Sequence, residues 1–222
     1  MMELAVSEAF QIPLDVVQRA SMFAGDIAEV AAIAKVKGKE GVLNLRFQLF
    51  RPIRLMMAQM AVDVSEALQE HEGKSAFEYK LDGARIQIHK LGDKVKVYSR
   101  RLTDVTRSLP EVVELIRDQV KANEAILEGE VIAVGEDGTP MLFQHLMRRF
   151  RRVHEIEEVT KQIPIRLYLF DLLYLDGQSL ITNSYLERRR KLEEITGNIP
   201  LTKQVITTDL EEAERFLEEA IN

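Results

Sequence analysis

Glu78-Tyr79-Lys80-Leu81-Asp82-Gly83-Ala84-Arg85 is the stretch on which the fold and the chemistry of this chain turn. A lysine ends a short strand, a tight Asp-Gly turn follows, and an arginine opens a second strand. An amine is a nucleophile only when neutral, so a reactive lysine needs a lowered pKa. Burial beside a second cation such as Arg85 would supply that. Gly83 lets the backbone approach a phosphate with no side chain between. A solvated strand–turn–strand is the plain alternative for these residue types, because short motifs also arise by chance.

Outward from this stretch, strands alternate with helices. Ala76 to Lys80 reads as the first strand. Ile86 to Leu91 and Lys94 to Tyr98 alternate around Gly92-Asp93, the pattern of a hairpin. Ser108 with Glu111 has the spacing of a capping box for a helix to about Lys121. Ala125 to Val134 is a buried strand, Gly135 to Gly138 its turn, and Phe143 to Arg152 a helix. Ile165 to Leu175 is a strand ending at Asp176-Gly177. Ser184 with Glu187, and Thr208 with Glu211, start the last two helices. On the N-terminal side, residues 12–35 read as a helix, residues 42–48 alternate like a strand, and Pro52 marks a boundary near residue 50. The class is α+β with antiparallel hairpins rather than strict βαβ alternation.

The chain has 222 residues, 46% hydrophobic, enough for one sizeable core and an appendage. Cysteine is absent, which excludes disulfides, thiolate catalysis and cysteine-based zinc sites. No run reaches the length of a membrane span, and the opening MMELAVSEAF lacks the features of a signal peptide, so a cytoplasmic location is expected. The net charge of −6 argues weakly against a nucleic-acid clamp, but binding follows local patches. Arg148, Arg149, Arg151 and Arg152 form one such patch, read equally well as a solvated helix face. His71, His89, His145 and His154 show no metal-ligand spacing and read as structural.

Four segments in order carry a family resemblance. Lys80-Leu81-Asp82-Gly83-Ala84-Arg85 matches the KxDGxR pattern of covalent nucleotidyltransferases. Tyr98-Ser99-Arg100-Arg101, Leu127-Glu128-Gly129-Glu130-Val131 and Leu169-Phe170-Asp171-Leu172-Leu173-Tyr174-Leu175-Asp176-Gly177 resemble three later segments of the same enzymes. Gln18-Arg19-Ala20 to Asp26-Ile27-Ala28-Glu29-Val30, with Arg51-Pro52-Ile53-Arg54-Leu55-Met56-Met57-Ala58, resembles ATP-dependent DNA ligases of the archaeal and eukaryotic type. The resemblance implies an ATP-grasp-like adenylation core with antiparallel sheets, truncated at its C-terminal end, at residues 50–222. Residues 1–49 would be the tail of a helical DNA-binding domain and its linker.

The same resemblance implies roles residue by residue. Lys80 would attack the α-phosphate of ATP and carry AMP. Glu78 would accept a hydrogen bond from the adenine amino group and be repelled by a guanine carbonyl. Arg85 and Arg100 would hold ribose and phosphate, which suits their planar forks. Glu130 would bind the ribose hydroxyls or help place Mg²⁺. Phe170 would stack on adenine. Core packing is the plain alternative for Phe170, and an exposed strand position that for Glu78. The partner implied is nicked double-stranded DNA, with a sliding clamp for the full-length protein. An RNA ligase, a capping-type nucleotidyltransferase or a non-catalytic nucleotide-binding fragment are the alternatives. Nothing after Phe170 matches the family's Glu-Gly-x-x-x-Lys segment, its later lysine motif or its OB-fold domain. A fragment of a longer ligase, with little or no nick sealing by itself, is therefore expected.

Overall fold

A computed structural model of the chain describes residues 1–54, 58–135, 137–151 and 163–221. Three helices come first: α1 (Met2–Phe10), α2 (Leu14–Ala24) and α3 (Ile27–Leu43). The helix expected over residues 12–35 is thus two. Gly25 ends α2 in the left-handed region at φ 67, where glycine carries no Cβ penalty, and the Asp26 side chain caps α3 by accepting from the Ala28 N–H. The strand expected at 42–48 is not formed. Val42 is buried among the helices with Val17, Val30 and Ala34. Phe47 instead stacks on Phe23 at 4.5 Å and meets Tyr174 at 6.1 Å. The apolar alternation therefore serves two different neighbours rather than one sheet face.

After α4 (Val64–Glu70), the strands are β1 (Ser75–Glu78), β2 (Ala84–Leu91), β3 (Lys94–Ser99), β4 (Glu124–Ala133), β5 (Ile165–Leu175), β6 (Gln178–Ser179) and β7 (Gln204–Thr207). Between and after them run α5 (Pro110–Gln119), α6 (Phe143–Arg151), α7 (Tyr185–Ile195) and α8 (Leu210–Ile221). The five-stranded sheet has the order β3-β2-β4-β5-β6, and β1 pairs with β7 in a second, two-stranded sheet. All these ladders are antiparallel, as the α+β reading expects. The hairpin at Gly92-Asp93 forms as read, with Ile88 opposite Val97.

Alternation gives the larger sheet two faces. Ile86, Ile88, Val97, Leu127, Val131, Leu167, Leu169 and Leu172 point to the side covered by α5, α6 and α7, where Val112, Ile116, Leu146, Leu192 and Ile195 complete the main core. Each fully buried leucine or isoleucine there contributes about 1.5–3 kcal/mol relative to exposure. The opposite face carries Arg85, Gln87, His89, Tyr98, Glu128 and Glu130, in register across β3, β2 and β4.

Residues 50–54 strap across part of that polar face. Phe50 N–H donates to His89 Nδ1 at 2.9 Å, Tyr98 Oη donates to the Phe50 carbonyl at 2.7 Å, and Ile53 N–H donates to Gln87 Oε1 at 2.7 Å. On its other side the strap grips the helices. Arg51 pairs with Glu29, and Arg54 Nε donates to the Gly25 carbonyl at 2.8 Å.

The three capping expectations resolve differently. Ser184 and Glu187 form a full capping box on α7. Ser108 does not cap α5: Pro110 occupies its first turn, and Glu111 pairs with Arg149 instead. Asp209, rather than Thr208, accepts from the Glu212 N–H at the start of α8.

His89 is fully buried, and burial lowers its pKa to about 4. It accepts from the Phe50 N–H, so protonation would put two donors face to face. The unfolded histidine binds a proton near pH 6.5, whereas the folded one does not until about pH 4. Stability contributed by neutral His89 is therefore fully present above pH 6.5 and lost as pH falls toward 4. The loss at the low end is about 3 kcal/mol. Urea midpoints measured from pH 7 to 4 should fall more steeply for the native chain than for His89→Asn. Equal slopes would sink this account of His89.

Candidate active site

The site begins in the loop between β1 and β2. Gly83 lies so close to β4 that a Cβ built on it would stand 2.3 Å from the Val131 carbonyl and 2.8 Å from Ile132 Cγ2. Only glycine fits, and its N–H lies close enough to the Glu130 carboxylate to favour the ionised form. Lys80, three residues earlier, is exposed. The burial expected of Lys80 is not found, because the close approach is made at Gly83 and leaves Lys80 at the open rim. Its charge nevertheless acts on Glu130.

Glu130 stands directly opposite Arg85 across the β2–β4 ladder. Its pKa is raised to about 7: burial pushes it up, while Lys80, Arg85 and the Gly83 N–H hold it down. Next on the same face comes Glu128, 3% exposed, which pairs with Arg85 and accepts from Gln87 Nε2 at 3.2 Å. Burial pushes Glu128 up as well, against the pull of Arg85 and Gln87. A buried carboxylate is costly unless paired in this way.

The Arg85 guanidinium lies over the Phe170 ring, 5.2 Å from its centroid. A bulge in β5 brings Phe170 there. Glu128 pairs with Asp171 and Gly129 with Leu169, so Phe170 is the extra residue between them. A bulge re-aims side chains, and here Phe170 and Asp171, neighbours in sequence, both serve the polar side. Asp171 is held by Arg188 at 2.7 and 3.0 Å. Gly129 is needed opposite, because a Cβ there would lie 2.7 Å from the Tyr168 carbonyl.

Glu78 arrives from the smaller sheet. Thr202 joins the two sheets: its N–H donates to the Leu169 carbonyl at 3.0 Å, and its Oγ1 donates to Glu78 Oε1 at 3.0 Å. Arg189 Nη1 at 3.2 Å and Tyr185 Oη reach the same oxygen. Arg100 is exposed in the turn after β3, at the end of the sheet where Ser99 pairs with Ile86, next to Arg85. The six residues singled out in the sequence thus gather at one end of the larger sheet. In the basic patch, Arg149 is buried and bonded to Glu111 and the Ile163 carbonyl, so it braces α6 against α5; Arg148 is exposed. The Arg151 side chain, Arg152 and His154 lie outside the described residues. Among the described residues no group of three or more His, Asp or Glu is arranged to hold a metal ion, and no helix is long and apolar enough to cross a membrane.

The family model described as "ATP dependent DNA ligase domain" matches residues 55–222, well over half of the chain. The chain belongs to that family. Proteins named DNA ligase from Thermococcus fumicolans and Methanopyrus kandleri are 48% and 47% identical to it over 98% and 99% of its length. The chain spans only 39% and 40% of those relatives. The ligase domain of LigD from M. tuberculosis superposes with a TM-score of 0.50 at 25% identity, covering 65% of this chain and 44% of that one. The adenylation-type fold expected from the sequence is therefore the fold of this family.

Sequence reading passed over Gln87, Glu128, Tyr185, Arg189 and Thr202. One signal was available: Glu128 precedes Glu130 by two in an otherwise apolar strand, so both face the same way. In the nucleotide-free protein the Glu130 carboxyl should titrate near pH 7. Lys80→Met should move that midpoint up, because the largest opposing cation is removed. Carboxyl ¹³C shifts followed by NMR against pH read it directly, and an unmoved midpoint would mean that Lys80 does not face Glu130.

Proposed function

We propose that this chain is the nucleotide-binding part of an ATP-dependent DNA ligase, and that Lys80 is its nucleophile. The observation that carries this reading is that Glu130 stands opposite Arg85 and within reach of the Lys80 charge, with Arg85 over the Phe170 ring. In domain terms, residues 1–49 are the end of a helical DNA-binding domain with its linker, and residues 50–222 are the adenylation domain.

On this reading ATP lies with adenine against Phe170. Base–aromatic stacking of that kind is worth about 1–3 kcal/mol. Glu78 accepts from the adenine amino group, Glu130 and Arg85 hold the ribose side, and Arg100 meets phosphate. The deprotonated Lys80 amine forms a bond to the α-phosphorus, and the bond from that phosphorus to the bridging oxygen breaks as pyrophosphate leaves. The lysyl-AMP then gives its AMP to the 5′-phosphate at a nick, which frees Lys80. The 3′-hydroxyl attacks the activated phosphate and expels AMP. Positioning and charge neutralisation dominate such phosphoryl transfers.

The donor set fits Mg²⁺ of a particular kind. Glu130 offers one carboxylate within reach of the charges of Lys80 and Arg85, so it would help hold a Mg²⁺ ion that also takes ligands from the nucleotide rather than one caged by the protein. Bound there, Mg²⁺ would supply neutralisation of phosphate charge. Glu78 and relatives named as DNA ligases favour adenine and DNA over the guanine of capping enzymes. The partners on this reading are nicked duplex DNA and, for the whole protein, a sliding clamp. The location on this reading is cytoplasmic.

Incubation with α-³²P-ATP and Mg²⁺ should label the protein, with an intact-mass gain of one AMP. Lys80→Ala should abolish the label, whereas Lys191→Ala should keep it. Label surviving in Lys80→Ala would remove Lys80 as the nucleophile.

A further inference from the structure

Glu78 is held unusually for a carboxylate at a strand end. Its side chain is 27% exposed, yet one oxygen, Oε1, takes three donors: Tyr185 Oη, Thr202 Oγ1 at 3.0 Å and Arg189 Nη1 at 3.2 Å. Among the described residues none donates to Oε2. The donors themselves are fixed. Arg189 is 6% exposed, donates from Nη2 to the Thr202 carbonyl at 2.9 Å, and pairs with Glu193 one turn along α7 at 3.0 Å. Thr202 is 5% exposed and tied by its N–H to Leu169, the residue before Phe170. Tyr185 also reaches Gln204 of β7 at 3.2 Å.

We infer that Arg189, Tyr185 and Thr202 are positioning residues for base selection: they saturate Glu78 Oε1 and so leave Oε2 as the acceptor turned toward the six-position of a purine on Phe170. This rests on the proposed function and adds to it the device that makes Glu78 selective. A free carboxylate rotates about χ3 and can present either oxygen with water attached. One oxygen bonded three times fixes the plane of the group, so the second is pre-oriented at no further cost on binding. Selectivity follows because an amino group donates to Oε2, whereas a carbonyl sets two acceptors against each other. Burial and the Glu78 charge both push the Tyr185 hydroxyl up, which favours its protonated, donating form. The Thr202 anchor to Leu169 ties the position of Glu78 to that of the stacking ring, which suits two contacts that must meet one base.

The test compares equilibrium affinities of the full chain for AMP and for IMP, which carries a carbonyl where AMP carries the amino group. Tyr185→Phe and Thr202→Val each delete one donor with little change of shape. Each should lower the AMP-to-IMP preference by about three- to tenfold, the span of a single net hydrogen bond, while IMP affinity moves less than about twofold. Arg189→Met should lose the preference, and Arg189→Lys should restore part of it. A loss of both affinities in parallel would mean a structural role only and overturns the inference. An unchanged preference in all these variants, while Glu78→Gln abolishes it, also overturns the inference and leaves Glu78 as the base contact. A preference that survives in Glu78→Gln, or a native chain that binds neither nucleotide, overturns the reading of the site on which the inference rests.

Discussion

The burial of one carboxylate, Glu128, organises the polar face of the sheet. At 3% exposure its charge has little water, and an unpaired charge there would cost several kcal/mol. Arg85 and Gln87 meet that demand. Once Arg85 is committed to Glu128, its guanidinium is fixed over Phe170. Once Gln87 is committed through Nε2, its Oε1 is free to accept from Ile53 N–H and to face His89 Nε2. The pair that fixes an arginine in the site therefore also fixes where residues 50–54 cross the sheet. Arg51 and Arg54 carry that register on to α2 and α3. A disturbance at the strap is felt at Arg85 through two hydrogen-bonded side chains rather than through bulk deformation.

A second constraint brings the smaller sheet to the larger one. β1 and β7 have no ladder to the five-stranded sheet. They reach it through the segment of Leu201 and Thr202, which bonds to Leu169 on both sides of its peptide. Buried Arg189 stitches this segment to α7, and Ser184 and Glu187 set where α7 begins. Glu78 and Phe170 are far apart in the chain but share these anchors. Their relative placement depends on β5 and α7 as much as on the loop that carries Lys80.

What was legible in the sequence follows the range of each interaction. Period-two alternation is local, so the β2–β3 hairpin and the strand Ile165–Leu175 read correctly. Residues 42–48 alternate too, but Val42 answers to the helices and Phe47 to Tyr174, and alternation cannot say which partner arrives. Ser184 with Glu187 and Ser108 with Glu111 look alike in sequence. One is a capping box and the other is not, because Pro110 and buried Arg149 intervene. The candidate residues were found through their chemistry and their family resemblance. Their supports were not, since Arg189 lies 111 positions from Glu78 and Glu128 lies 43 from Arg85. The exposure of Lys80 was also out of reach, because an Asp-Gly turn does not reveal which of its residues is pressed against β4.

The site is unevenly prepared, and this bears on how it would work under the proposed reading. On the side of Glu78, Arg85 and Phe170, the side chains are already held by an ion pair, a stacked ring or a tie to a neighbouring strand, although the buried Arg85 Nε has no hydrogen-bond partner among the described residues. On the other side, Lys80 and Arg100 are exposed, and Glu130 sits near its own midpoint at neutral pH, held between burial and the charge of Lys80. A preorganised half recognises its ligand without paying to become ordered, whereas an exposed half must be ordered in the complex. Base choice would then be fixed before the phosphates are aligned. A phosphate that approaches Lys80 and Arg100 brings negative charge next to Glu130 and favours its protonated form, while a divalent cation favours the ionised one. The protonation of Glu130 and the arrival of a cation are thus two answers to the same excess of charge. Selectivity for the base and competence at the α-phosphate would reside in different residues and be separable by substitution.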